Sequence, residues 1–232
     1  MNNDLKGFYN AFISAVYGFV LVFGFSQFVD ILNRKLGWTE YLLLATVYVT
    51  VLHFWMVFFA SSEVTFALIT APANDSNSVK MIWFWTEVFF ATSLCVPMTY
   101  MFFRLQSLPE FTLGMTLVAA GSLLWDMWAF MVNRYLNRRE PETGKMLPGA
   151  ARELLFRWIG LDLIFVLVLL AIYVLVSDVQ PVRREMVAFV LLSLSLAGSI
   201  LDTVIFNPEL YLGTAASAPS GPATGSGDDS AP

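Results

Sequence analysis

The chain is short of charge. Lys, Arg, Asp and Glu make up 13% of its 232 residues, about half the share usual in a soluble domain. It has one cysteine, Cys95, and one histidine, His53. A lone cysteine excludes an intrachain disulfide and any cysteine-based metal cluster. A lone histidine excludes, within one chain, a bis-histidine haem and the multi-histidine iron or zinc sites. The formal charge is -5 and no basic patch is present to meet nucleic acid. No lysine lies in the middle of an apolar run, which removes the usual form of a retinal protein. There is no G-x-S-x-G, and the "GLD" at 160–162 is a fragment of the paired motifs that an intramembrane aspartyl protease needs. The sequence therefore calls for no enzyme activity, no cofactor and no metal.

What it has instead is apolar length. Hydrophobic residues make up 57% of the chain and the mean hydropathy is +0.67. Apolar runs of about 20 residues, enough to cross a bilayer, occur near 8–32, 38–60, 81–103, 111–133, 153–177 and 184–206. The fold class expected is all-α: a polytopic integral membrane protein with six transmembrane helices, forming one domain over residues 1–210. The first run is too long for the apolar region of a signal peptide and no A-x-A-like site follows it, so it reads as a retained helix. A shorter apolar piece, "VTFALITA" at 64–71, is too short to span and is expected at the interface or as a re-entrant segment. Residues 211–232 are rich in Gly, Ala, Ser, Pro and Thr. They bury too little apolar surface to offset ordering and are expected to form a disordered tail.

Orientation follows from the basic residues. One face of the bundle receives the N-terminus, the longer connections 61–80 and 134–152, and the C-terminal tail. Counted out from the helix ends, it carries Lys6, Lys80, Arg134, Arg138, Arg139, Lys145, Arg152 and Arg157. The opposite face carries Arg34, Lys35, Arg104, Arg183 and Arg184. The positive-inside rule puts the first face in the cytoplasm. The expected location is an inner (plasma) membrane with both termini cytoplasmic.

Charged groups inside a span cost roughly 2.5–3.5 kcal/mol each on insertion scales and usually face the bundle interior. Measured from the cytoplasmic face, Asp202, Arg157, Glu87, His53, Asp126 and Asp162 all lie about four to nine residues deep. At 1.5 Å per residue they fall in one layer, about 6 to 14 Å below that surface. Four carboxylates against one firm cation cannot all ionise in a low dielectric. Two readings stay open. The layer is a water-filled vestibule or a proton- or cation-handling site, or it is a polar cluster that locks helices together.

Helix 1 lacks a central charge. It carries Asn10, Ser14 and Tyr17, then an apolar middle including Val20 and Leu21, then Gly24 and Gln27. A polar–apolar–polar stripe suits a pore helix with a hydrophobic gate, and equally an interior helix with small packing residues. Ser14, Val20, Leu21 and Gln27 are the pore or gate candidates.

The six-helix plan, the helix 1 segment "NAFISAVYGFVLVFG", a histidine late in helix 2 (His53), a proline in helix 3 (Pro97) and a basic segment after helix 4 resemble the potassium channels of the lysosome and their single-repeat prokaryotic relatives. That family lacks the filter loop of ordinary potassium channels. Ala11 and Phe12 fit its helix 1 signature. Ile13 and Ser14 stand where Ser and Asp would, and Lys6 is the nearest substitute for the upstream arginine. The resemblance implies a tetramer with helix 1 lining the pore and cytoplasmic termini. The function expected is a channel, or channel-like subunit, permeable to potassium or protons. The competing expectation is a non-catalytic scaffold or accessory subunit of a larger membrane complex. The partners expected are the lipid bilayer and either further copies of the chain or another membrane protein.

Overall fold

In the computed structural model the backbone is described for residues 2–34, 37–70, 77–139, 149–176 and 183–206, and the side chains for most of these. Six α-helices follow one another: α1 Asn2–Arg34, α2 Trp38–Thr70, α3 Asn77–Phe103, α4 Leu108–Arg139, α5 Gly149–Val176 and α6 Arg184–Ile200. A π-helical turn, Leu201–Phe206, continues α6. Each of the six includes a stretch long and apolar enough to cross a membrane. There is no strand among the described residues. Residues 211–232, expected as a disordered tail, lie outside the described residues.

The "VTFALITA" segment is not a separate interfacial or re-entrant piece. Up to Thr70 it is the end of α2. Ser61, Ser62 and Glu63 interrupt the apolar run, but none of them breaks a helix as Pro or Gly would. At 33 residues, α2 is about 50 Å long, well over the ~30 Å hydrocarbon thickness. Its last turns run on beyond the spanning stretch Trp38–Phe59. α4 does the same, reaching Arg139 from a spanning stretch that ends at Met131. The two long connections expected on that face are thus partly helical extensions.

α2 is the hub. It packs on α1, α3 and α6, while α3 also packs on α1 and α4, and α5 packs chiefly on α4. Its spanning stretch is 44% buried, against 11% for α5. The core is built from Tyr9, Ile13 and Tyr17 of α1, Leu43, Val47, Val51 and Phe58 of α2, Met98, Met101 and Phe102 of α3, and Phe111 of α4. Gly24 lets α1 approach α3, because a Cβ there would run into the Phe102 ring. Gly121 does the same for α4 against Leu94 of α3. Close approach through small residues is what holds membrane helices together once lipid has removed the hydrophobic drive between them.

The α3–α4 corner is tied by local chemistry. Ser107 occupies the N-cap position, its backbone carbonyl accepting the Phe111 N–H at 2.8 Å. Pro109 sits in the first turn of α4, where its missing N–H costs nothing. Arg104 pairs with Glu110 at 3.1 Å and lies over the Tyr100 ring. Arg184, at the start of α6, donates to the Gln106 carbonyl at 2.6 Å. The ends of α3, α4 and α6 are therefore stitched together on the face opposite the long connections.

Candidate functional site: a buried carboxylate cluster

Asp126 stands in "AAGSLLWDMWAF" on α4, and it is buried. Its position four residues after Ser122 puts both side chains on one helix face. Ser122 hydrogen-bonds the carboxylate of Asp162 on α5. Asp126 itself feels the charges of Asp162 and of Asp202, the latter carried by the π turn after α6. Asp202 Oδ2 lies 3.5 Å from Nε2 of His53 on α2. Four helical elements thus deliver three carboxylates and one imidazole to a shared field. Aromatic rings surround them: His53 meets Phe54 edge-on at 5.4 Å, and Phe58 of α2 packs on Trp125 of α4 at 4.7 Å.

Two atoms of this cluster have no hydrogen-bond partner although they are buried: Nδ1 of His53 and Oδ2 of Asp162. Buried polar atoms are normally paired. The π turn is also notable, because such turns recur at functional sites within helices. Here it carries one of the three carboxylates. Among the described residues no three His, Cys, Asp or Glu side chains converge as metal ligands would. The carboxylates share a field without surrounding a single point.

The layer expected from depth divides into three. Asp126, Asp162, Asp202 and His53 come together. Glu87, also buried, accepts a 2.9 Å hydrogen bond from the Tyr9 hydroxyl at the α1–α3 contact. Arg157 has an exposed side chain on α5, and the side chain of Glu153, one turn earlier, lies outside those described. The sequence offers an expectation of depth along the helix axis, but rotation about the axis decides which groups meet.

The helix 1 candidates form two stripes instead of one. At 100° per residue, Ser14 and Leu21 share a face, and Val20 and Gln27 share another about 120° away. Val20 is part of the core beside Tyr9, Ile13 and Tyr17. Ser14, Leu21 and Gln27 are half-buried. Both tyrosines tie α1 to α3, with Tyr17 donating to the Ala91 carbonyl at 3.4 Å.

Sequence reasoning passed over the threonines of α2. Thr39, Thr46 and Thr50 are buried, and Thr50 Oγ1 lies 3.0 Å from Ser195 Oγ of α6. The signal available was their spacing. Thr39, Thr46, Thr50 and His53 recur at intervals of seven, four and three, which is one helix face.

Comparison of the chain with protein-family models, with curated proteins and with solved structures finds no match in any of the three.

Proposed function

We propose that this chain is a cation-permeable protein of an inner, plasma-type membrane, and that the proton is the cation its site suits best. The observation that carries this is that Asp162 and Asp202, from two helical elements, lie within electrostatic reach of the buried Asp126 on a third, with Asp202 3.5 Å from Nε2 of the half-buried His53. Intramembrane carboxylates that share a field exchange protons among themselves and with an adjacent imidazole. A dehydrated metal ion asks instead for ligands that surround one point.

The likeness to the lysosomal and prokaryotic six-helix channels supports a permeation role and assembly as a homo-oligomer. The excess of Lys and Arg beside the acid cluster supports a cytoplasmic opening and cytoplasmic termini. The present reading differs from the resemblance in one respect: it assigns the ion-handling groups to α2, α4, α5 and α6, and gives α1 the role of a packed wall.

The test is flux from proteoliposomes holding the intact chain, read with an internal pH dye and, separately, with a potassium dye. Proton flux that falls on Asp126→Asn and on Asp162→Asn supports the reading. Potassium flux that rises on Leu21→Asn and ignores the aspartates returns the pore to α1. Flux from none of the folded, monodisperse variants ends the channel reading and favours an accessory subunit.

A further inference from the structure

The acid cluster accounts for one depth of the membrane only. Below it, hydroxyls of α2 and α6 meet at Thr50 and Ser195. On α2, Thr50 and Thr46 are buried one and two turns before His53, and Thr39 continues the same face toward the opposite surface. From Thr39 to His53 is about 21 Å at 1.5 Å per residue, most of the hydrocarbon thickness. On α6, Ser195 and Ser199 precede Asp202 at the spacing with which Thr46 and Thr50 precede His53.

Within each helix the hydroxyls bond back to the carbonyl one turn earlier, and one pair meets across the contact. The Thr46 hydroxyl donates to the Leu42 carbonyl and that of Thr50 to the Thr46 carbonyl, each at 2.8 Å. Ser199 donates to the Ser195 carbonyl at 2.9 Å. Thr50 Oγ1 lies 3.0 Å from Ser195 Oγ, a contact across which either hydroxyl can donate. On the same two helices Leu43, Val47, Val51, Ala188 and Leu191 are buried and apolar. A hydrated metal cation has no polar shell to enter there. A proton needs only oxygens in sequence.

We propose that the α2–α6 seam is the proton track between the acid cluster and the opposite half of the membrane, with Thr50 and Ser195 as its central rung. This rests on the permeation reading above. Each transfer is balanced: a hydroxyl turns from its backbone carbonyl to the neighbouring oxygen, takes one proton from one side and releases its own to the other, and rotation about C–O restores the start. Rungs one turn apart are about 5 Å from each other along the axis, and Thr39 and Thr46, two turns apart, about 10 Å; the track needs one bridging water in the first kind of gap and a file of waters in the second. Nothing is oxidised or reduced.

The experiment is proton flux from proteoliposomes of the full chain carrying Thr50→Val, Thr50→Ser, Ser195→Ala or Asp126→Asn. Valine keeps the shape of threonine and removes the hydroxyl. The seam predicts a fall of about tenfold or more for Thr50→Val and Ser195→Ala, equal to a barrier rise of about 1.4 kcal/mol. It also predicts recovery in Thr50→Ser, with thermal unfolding of all four close to the parent. Flux that is unchanged in Thr50→Val and Ser195→Ala, but lost in Asp126→Asn, overturns the seam and leaves the permeation reading standing. A parent chain that moves no protons removes both.

Discussion

α1 and α2 pack side by side, and both read as apolar spans, yet their buried faces are built differently. α1 turns large side chains inward: Tyr9, Ile13, Tyr17 and Val20. Its two phenol groups reach across to α3 and end on Glu87 and on the Ala91 carbonyl. α2 is the more apolar over its span, and it buries Thr39, Thr46 and Thr50 and half-buries His53. The visibly polar residues of α1, Ser14 and Gln27, are only half-buried. Average hydropathy therefore says little about which helix holds the chemistry. A small hydroxyl that bonds the carbonyl one turn back is nearly silent in hydropathy, and it is still a polar atom at a helix contact.

This contrast is open to attack by substitution. Tyr17→Ala is expected to be the most damaging change, at about 3–5 kcal/mol, because it opens a cavity that packed neighbours close only in part. Thermal unfolding in mild detergent reads it, and a shift no larger than that of a surface variant would show that α1 is not a packed wall. Val20→Asn comes next. An amide without partners in the core costs about 1–3 kcal/mol, while Leu21→Asn, on the neighbouring half-buried face, costs less by the same assay. Equal losses from the two would erase the distinction between the stripes of α1. On α2, Thr46→Val is expected to change stability by at most about 1 kcal/mol, the worth of a typical net hydrogen bond. A loss as large as that of Tyr17→Ala would make the hydroxyls structural anchors. The smallest effect is expected at the stitched corner, where Arg104→Ala removes a half-exposed ion pair worth about 0–1 kcal/mol, seen as a shift that shrinks further in high salt.

The six spans were legible because apolar length is a one-dimensional property. The common depth expected for His53, Asp126, Asp162 and Asp202 draws on the same property, since helices that alternate direction allow depth to be counted from one face. The division of that layer was not legible. Glu87 leaves it for Tyr9 because of how α3 is rotated against α1, and rotation is set by contacts such as Gly24 on Phe102 that join distant parts of the chain. The reach of α2 to Thr70 was hidden by a dip in hydropathy at Ser61–Glu63, where helix propensity holds. The wide turn at Leu201–Phe206 has no Pro or Gly to mark it.

That turn also sets how the chain tolerates changes in length. An i→i+5 turn holds a surplus residue over an α turn, and so acts as slack in the thread. Deleting one residue after Asp202, within 203–206, lets the turn tighten to α geometry with little disturbance upstream. The same deletion within Leu191–Ser199 has no slack to draw on. It swings everything after it by about 100°, and Asp202 loses His53 although neither residue has been touched.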